Sequence, residues 1–210
     1  MTPVIAALVA VFALSLCSTP VLASLSNSSS SETTDLSTSD PVPKCVIFNS
    51  EERMIIINCK NTNLTQIESQ LKDPDVLHRD ANFDKGWVLN AGITVAENAV
   101  LYINSSDTSW LKIVADGETA YPIYVSGSLK INSVGIISWN PNTNDYTSSL
   151  DSHRNGEDVH IGTPRPYIIV NDDATGTTDI IDSELAFLGY ESGYGGGRTG
   201  LRYEGGDGSL

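Results

Sequence analysis

The sequence predicts an all-β protein, a right-handed parallel β-helix whose coils stack as a solenoid. Short runs rich in β-branched residues recur after residue 86, and no convincing helical period follows residue 77. One apolar–polar phrase also occurs twice, within 130–139 and 179–188, and an offset of fifty residues brings its like residues together. The offset superimposes Ile131 on Ile181, Asn132 on Asp182, Ser133 on Ser183 and Ile137 on Phe187. Asn132 and Asp182 are therefore predicted to hold equivalent coil positions, where polar side chains satisfy turn backbone groups.

Residues 1–23 are predicted to be a signal peptide. Positions 4–16 are almost wholly apolar, and 21–23 (VLA) give the small-x-small pattern of a cleavage site. A membrane anchor is the alternative, but this thirteen-residue stretch is shorter than the roughly 20 residues that a spanning helix needs. Residues 24–41 are rich in Ser and Thr and hold almost no large apolar side chains, which predicts a flexible spacer. The protein is thus expected to be secreted or displayed at the cell surface, without stable membrane insertion.

An N-terminal cap, 42–85, is predicted to open with a β-hairpin. Two β-rich runs, 45–49 and 54–59, flank a polar turn. If these strands pair in register, Cys45 and Cys59 face each other at the open end of the hairpin and can form a disulfide. An even pair of cysteines suits an oxidising compartment. A free buried pair is the alternative.

A short helix is predicted to complete the cap. Asn63 can cap its first turn with Gln66 as the partner three residues on, and Pro74 ends it. Leu64, Ile67 and Leu71 then share one apolar face. A solenoid needs such a cap because its first coil would otherwise expose an apolar end and a strand edge.

The remaining residues, 86–210, are predicted to form the coils. The predicted strands are 87–89, 93–95, 100–103, 110–114, 122–125, 129–139, 167–170, 179–188 and 201–203. Gly, Asn and Asp separate them, as turns require. The polar stretch 140–166 is longer than ordinary loops and predicts an insertion that builds one wall of a groove. Because the strand pattern restarts just before residue 210, a fragment truncated at its C-terminus is expected.

The charge of the chain limits its partners. It holds 26 acidic and 12 basic side chains, a net charge of −14. This balance argues against nucleic acid as a partner. It also predicts that a polyanionic ligand is held only where arginines cluster or a cation bridges. Solubility outside the cell is the simpler interpretation of the charge.

Four phrases occur in an order typical of one group of proteins. They are 136–141 (IISWNP), 165–168 (RPYI), 182–190 (DSELAFLGY) and 200–203 (GLRY), and 87–91 (WVLNA) precedes them. Across about 86–204 the chain resembles exported right-handed parallel β-helix proteins similar to mannuronan C5-epimerases, in the pectate-lyase-like superfamily. It departs from their pattern at Asn140, where an acidic residue is usual, and at Phe187, where tyrosine is usual.

The resemblance implies a carbohydrate-active protein that binds or modifies an extracellular uronate-type polysaccharide, most like a C5-epimerase. That reaction removes the proton alpha to a carboxylate and returns one from the opposite face, which requires a base and an acid. The characterised epimerases carry an Asp-Pro-His phrase, whereas the Asp-Pro pairs here, 40–41 and 73–74, continue with Val42 and Asp75. The catalytic residues are therefore unknown. A non-catalytic cell-surface glycan-binding or structural protein is the alternative, and a polysaccharide lyase is a further one.

A candidate substrate groove follows from the cluster of tyrosine and arginine around the glycine-rich stretch 193–197. Its residues are Tyr190, Tyr194, Arg198, Arg202 and Tyr203. Tyrosine stacks on sugar rings, and arginine pairs with uronate carboxylates. A flexible inter-coil loop with incidental aromatic residues is the alternative.

Other residues give weaker hypotheses. Asp172, Asp173 and Asp179 could bind Ca²⁺, although no calcium-loop pattern is present and a solvated turn is favoured. His153 and His160 in the insertion could transfer protons or bind a metal, but exposed loop histidines are the favoured interpretation. The tryptophans (Trp87, Trp110 and Trp139) could be sugar platforms, although their apolar neighbours favour core positions.

Overall fold

The computed structural model describes residues 44–147, 152–153, 160–190 and 198–209 of the 210-residue chain. All of them belong to one of two units of the chain, Val42–Leu210. The other unit, Met1–Pro41, lies outside the described residues, and the predicted signal peptide and spacer lie there with it. In the described part of the chain, no helix is long and apolar enough to cross a membrane.

The described residues form twenty-one short strands and one helix. The first part contains β1 (Val46–Asn49), β2 (Met54–Ile57), β3 (Thr62–Asn63), α1 (Leu64–Leu71), β4 (Leu77–Arg79), β5 (Gly86–Leu89), β6 (Gly92–Val95), β7 (Val100–Asn104), β8 (Trp110–Val114), β9 (Pro122–Val125) and β10 (Ser128–Asn132). The second part contains β11 (Gly135–Asn140), β12 (Asp145–Tyr146), β13 (Ser152–His153), β14 (His160–Ile161), β15 (Tyr167–Val170), β16 (Thr177–Ile181), β17 (Glu184–Ala186), β18 (Gly189–Tyr190), β19 (Arg198–Thr199), β20 (Leu201–Tyr203) and β21 (Asp207–Ser209).

Three sheets form the β-helix, with parallel pairing between coils and antiparallel pairs at the ends of two of them. Sheet A has the order β1-β2-β6-β9-β15-β20, and sheet B has the order β21-β16-β10-β7-β3. Sheet C has the order β12-β11-β8-β5-β4, with β17 added to β11. The chain visits sheets A, B and C in turn: β6, β7 and β8 make one coil, β9, β10 and β11 the next, and β15, β16 and β17 the third. The predicted parallel β-helix is confirmed.

The core is built from rows of apolar side chains that stack between coils. Parallel pairing aligns Ile55, Ile93, Ile123 and Ile168 across sheet A, and each is fully buried. Burying one such side chain contributes about 1.5–3 kcal/mol. Because side chains alternate along a strand, the residues between these rows point outward. The outward row next to the isoleucines contains Ile56, Thr94, Tyr124, Ile169 and Arg202.

The register of the repeat differs from the predicted one by one residue. Ile131 pairs with Ile180, forty-nine positions on, and Asn132 therefore pairs with Ile181 instead of sharing a position with Asp182. A shift of one residue moves a side chain to the other face of a strand. Ile180 packs against the core, whereas Ile181 is 44% exposed, so the predicted offset would have placed the wrong isoleucine inside.

Both copies of the repeat also contain a corner that the sequence did not reveal. The predicted strand 129–139 is two strands, β10 in sheet B and β11 in sheet C, and 179–188 likewise divides into β16 and β17. Ser133 and Asp182 lie between these strands with φ of 55° and 47°. These left-handed backbone conformations turn the chain from sheet B into sheet C. Ser133 therefore corresponds to Asp182, and Ile137 pairs with Ala186 instead of Phe187.

The predicted N-terminal cap is present. Strands β1 and β2 form the antiparallel hairpin, and β2 continues into sheet A by parallel pairing with β6. Helix α1 begins after Asn63, whose side chain accepts a hydrogen bond from the backbone N–H of Gln66, while the Gln66 side chain accepts one from Asn63 N. Leu64 and Ile67 are fully buried, as the apolar pattern predicted. The helix ends at Leu71.

The predicted insertion carries strands of its own. β12 pairs antiparallel with the end of β11, so that Tyr146 lies opposite Trp139. β13 pairs antiparallel with β14. The polar composition of 140–166 predicted a loop, but short antiparallel pairs are formed in the parts that the structure describes. The first of them is possible because β11 extends beyond β17 and offers an edge to β12.

The Cys45–Cys59 disulfide joins the open end of the hairpin, with the Cα atoms 4.9 Å apart. In the loop-entropy description, a bridge over this sequence separation of 14 residues contributes about 3 kcal/mol. We therefore expect a reductant to lower the melting temperature of the protein. A Cys45→Ala/Cys59→Ala variant should melt at the lower temperature with or without reductant. Equal melting of the parent protein in both conditions would show that the bridge does not contribute.

Candidate functional site

Two tyrosines meet on the outer surface of sheet A. Tyr124 lies between the buried residues Ile123 and Val125, and Tyr167 precedes the buried Ile168, so strand alternation directs both tyrosines outward. Their hydroxyl oxygens lie 3.2 Å apart, and their rings meet edge-on with centroids 6.2 Å apart. The two phenols therefore form a hydrogen-bonded pair on adjacent coils.

An arginine and a third tyrosine join this pair. β18 pairs antiparallel with β19, which places Tyr190 opposite Arg198. The Tyr190 ring centroid lies 6.3 Å from that of Tyr167, and the guanidinium carbon of Arg198 lies 5.6 Å from the same Tyr167 ring. This distance is within the range of cation–π contacts. Tyr167 is consequently the centre of the cluster.

Arg165 fixes one edge of the cluster. Its Nε donates a hydrogen bond of 2.5 Å to the carbonyl oxygen of Gly189, the residue before Tyr190. Desolvation by burial lowers the pKa of the Arg165 guanidinium. We refer to Tyr124, Arg165, Tyr167, Tyr190 and Arg198 as the tyrosine–arginine face. It borders a shallow depression of about 370 Å³ that is lined by Arg165, Leu188, Gly189, Tyr190, Arg198, Thr199 and Gly200.

The hydroxyl of Tyr167 is held in its protonated form. Burial, followed by the hydrogen bond and the charge interaction with Tyr124, raises the pKa of Tyr167 to about 12, although Arg198 acts in the opposite direction. A phenol with this pKa is neutral near pH 7 and can donate a hydrogen bond or a proton. The face thus offers cationic and phenolic donors together.

The structure brings some of the predicted groove residues together and separates others. Tyr190 and Arg198 are neighbours in the cluster, and Arg202 lies in the outward row of Tyr124, where it forms a 2.6 Å ion pair with Glu204. Tyr203 lies in the inward row of Val170, and its hydroxyl donates to the carbonyl oxygen of Thr178 at 3.0 Å. Tyr194 lies outside the described residues.

Sequence reasoning missed three members of the face, Tyr124, Arg165 and Tyr167. The last two lie in the phrase 165–168 (RPYI), which carries the family resemblance but lies outside the glycine-rich cluster of tyrosine and arginine. Tyr124 had a weaker signal, the alternation of buried and exposed positions in β9. Only the pairing of β9 with β15 shows that these residues meet.

The metal hypothesis stays a prediction. Asp172 and Asp173 are exposed in a turn after β15, while Asp179 forms a 2.5 Å ion pair with Lys130 on sheet B. Across the described ranges, no three His, Cys, Asp or Glu side chains converge as metal ligands. His153 and His160 are backbone partners in the β13–β14 pair, and their side chains lie outside the description.

The sequence matches no protein-family model and no curated protein. Among solved structures, it is similar to the periplasmic alginate epimerase AlgG, with a TM-score of 0.52 and 19% identity over 71% of this chain and 31% of that one. The chain has the epimerase's fold. A single-substitution mutant of the same epimerase gives a TM-score of 0.54 and 18% identity over 74% of this chain and 35% of that one. The likeness establishes the fold, and this chain spans about a third of the length of the epimerase.

Proposed function

We propose that this β-helix binds a uronate-type polysaccharide through the tyrosine–arginine face, and that it acts on the polymer in the manner of a C5-epimerase. The arrangement of Arg198 and Arg165 around Tyr167 and Tyr190, where the β18–β19 pair packs beside β15 of sheet A, carries the proposal. The shared fold with an alginate epimerase supports it. The Cys45–Cys59 disulfide supports a location outside the cytoplasm, because disulfides persist mainly in oxidising compartments.

The chemistry of the face matches the chemistry of an acidic sugar. Guanidinium groups bind carboxylates with two parallel hydrogen bonds, and tyrosine rings pack against the apolar faces of sugars while their hydroxyls bind polar groups. In a chain of net charge −14, a polyanion needs a local excess of cations to bind. Arg165 and Arg198 supply it on this face.

Epimerisation needs a cation beside the carboxylate, a general acid and a general base, and the same groups suit the first two tasks. An arginine beside the carboxylate stabilises the negative charge that develops when the C5 proton is removed, and the neutral Tyr167 hydroxyl can return a proton. A phenol whose pKa is about 12 is a poor base near pH 7. The described side chains of this face thus provide a binding surface and a general acid, but they do not provide the general base. This observation favours the second candidate function, a non-catalytic protein that binds the same glycan.

One experiment separates the candidates. The secreted protein is incubated with polymannuronate in deuterated water, with and without Ca²⁺, and the polymer is followed by proton NMR. Deuterium at C5 with guluronate signals supports the epimerase. New unsaturated ends indicate a lyase, which begins with the same proton abstraction. Binding without exchange supports the non-catalytic candidate, and absence of binding to any uronate polymer contradicts the proposal.

Replacing Arg198 with alanine should weaken binding of mannuronate oligomers about ten-fold, because a charge-assisted bidentate contact is lost. Arg198 is exposed, so its removal should leave the melting temperature unchanged. Arg198→Lys keeps the charge but not the planar fork, and it should restore only part of the affinity. Isothermal titration calorimetry measures the effect, with Lys60→Ala as an exposed cationic control. Equal affinities for Arg198→Ala and the parent protein would remove Arg198 from the binding face.

A further inference from the structure

A second and larger depression, of about 590 Å³, lies on the outer surface of sheet C. Val88, Lys112 and Trp139 line it, and strand pairing explains their outward direction, since their neighbours Leu89, Leu111 and Ile113 are buried in the core. The turn at the end of the N-terminal hairpin and the segment around β4 close its other side. This sheet C depression belongs to the cap and the first coils, whereas the tyrosine–arginine face is built from later parts of the chain, in sheet A and the β18–β19 pair.

Arg53 is a rigid cation at one end of the sheet C depression. Its Nε and Nη2 donate hydrogen bonds of 3.2 and 2.8 Å to the carbonyl oxygen of Asn90, and Nη2 donates another of 3.3 Å to the carbonyl oxygen of Asp75. These partners are backbone groups without net charge. Among the described residues, no carboxylate pairs with Arg53, and its Nη1 makes no hydrogen bond. The guanidinium is thus positioned by the protein with one edge left for a ligand.

The other end of the depression is electrically balanced. Lys112 Nζ lies 2.7 Å from Asp80 Oδ2, and both side chains are nearly buried. The same Nζ lies 3.7 Å from the ring centroid of Trp139, which holds the indole in place from one face. Because Asp80 neutralises Lys112, the net attraction for an anion comes from Arg53 and from Arg79, which also lines the depression and donates only to uncharged groups. The exposed carboxylate of Asp75 also lines the depression, and its negative charge weakens the attraction for an anion.

These observations define a ligand with one negative charge and several hydroxyl groups. Nη1 of Arg53, the nitrogen not used by the backbone carbonyls, can donate to a single carboxylate. The half-buried Trp139 offers an aromatic surface for a sugar ring, and Asp75 offers an acceptor for hydroxyl groups while disfavouring anions of higher charge. The volume of about 590 Å³ falls within the range of small-molecule sites.

We propose that the sheet C depression is a second saccharide site, which binds the carboxylate of a hexuronate residue on Arg53 and its ring beside Trp139. The inference deepens the proposed function, since both concern an acidic glycan, but it depends on different residues. A polymer that contacts both surfaces would gain affinity from the second contact by effective concentration.

The test uses the full protein and mannuronate trisaccharide, with binding measured by calorimetry and by the fluorescence of Trp139. Arg53→Gln should weaken binding about ten-fold in a background that carries Arg198→Ala, so that the tyrosine–arginine face does not contribute. Arg53→Lys should recover part of the affinity, and Lys60→Gln should have no effect. Trp139→Phe should abolish the fluorescence change. A neutral mannose trisaccharide and inorganic phosphate should bind at least ten-fold more weakly than the uronate.

Because Arg53 also binds two backbone carbonyl groups, a variant that unfolds would not decide the question. The Nε–H resonance of Arg53 in the parent protein provides the second measurement, and it should shift with mannuronate concentration. An unshifted Arg53 resonance, or an equal affinity in a folded Arg53→Gln variant, overturns the inference. If Arg53→Gln weakens binding while Arg198→Ala alone has no effect, the second site stands and the proposed face on sheet A fails.

Discussion

Replacing Lys112 with methionine should lower the free energy of unfolding by about 3–5 kcal/mol, the cost of leaving one member of a buried ion pair without its partner. Lys112 and Asp80 are 2.7 Å apart, and their side chains are 7% and 6% exposed. Phe83 and Trp139 cover the ammonium group at 4.4 and 3.7 Å from their ring centroids. Methionine preserves most of the aliphatic packing, so the effect measures the charge left on Asp80. Chemical denaturation reports it.

The double variant Lys112→Met/Asp80→Leu is the matched control. Since both charges are removed together, it should recover most of the lost stability, because buried ion pairs contribute little net free energy compared with apolar replacements. A single variant that costs less than about 1 kcal/mol would mean that water reaches the pair and that it behaves as a surface salt bridge.

The pH dependence gives an independent check on the same pair. Burial alone would raise the pKa of Asp80, but hydrogen bonds from Lys112 and the Asn82 backbone, with the charge of Lys112, hold it below 3.8. The contribution of the carboxylate is therefore fully present above pH 3.8 and is lost as the pH falls through the lower folded-state pKa. In Lys112→Met, burial without a partner raises the pKa of Asp80 instead. Protonation of Asp80 in acid therefore removes the buried charge and restores part of the variant's stability. The stability difference between parent and variant should begin to narrow above about pH 4, as the pH falls through the raised pKa of the variant, and should narrow further below it as the parent loses its own contribution.

The strands and the cap could be predicted because local signals specify them. Helix α1 follows from Asn63, Gln66 and three apolar residues at helical spacing, all within one segment. The strands β8, β9, β15 and β20 have the predicted bounds because turn residues flank short β-branched runs. The disulfide followed from the position of Cys45 and Cys59 on one predicted hairpin. Each of these features depends on neighbours in sequence.

The register and the site could not be predicted as well, because both depend on pairing between distant strands. An offset of fifty residues superimposes like residues at 131 and 181. Matching by residue type therefore favours this offset, although it takes no account of which face of the strand each side chain occupies. The structure uses forty-nine, an offset that also superimposes Gly127 on Gly176. The site shows the same limit: Tyr124 and Tyr167 are forty-three positions apart, and an insertion between them makes their contact invisible to a pattern of fixed period.

Tyr203 shows why a cluster in sequence differs from a cluster in space. It follows Arg202 directly, and alternation places the two side chains on opposite faces of β20. Arg202 reaches the outer row of sheet A, whereas Tyr203 turns inward and binds the carbonyl oxygen of Thr178 in sheet B. The glycine-rich composition around them gave no information about these faces. The pattern therefore predicted the right region of the chain, while the strand pairing selects which of its residues meet.

The turn between sheets A and B gives the second large effect, since Gly127→Ala should lower the free energy of unfolding by about 3 kcal/mol. A Cβ at this position would lie 2.3 Å from the carbonyl oxygen of Ala96 and 2.4 Å from that of Ala99. Both carbonyls are fixed by backbone hydrogen bonds, from Ala99 N to Ala96 and from Ser128 N to Ala99. The added methyl group therefore has to displace backbone atoms of the neighbouring coil, which move less easily than the end of a flexible side chain.

Gly117→Ala separates this crowding from backbone strain. Gly117 has φ +101°, which a side chain disfavours, but a Cβ there would meet only one atom, at 3.9 Å. We expect a loss of about 1 kcal/mol from the dihedral alone. If Gly127→Ala proved no more harmful than Gly117→Ala in chemical denaturation, the coils would be able to separate at this corner. Close contact between successive turns would then contribute less to the β-helix than the buried isoleucine rows.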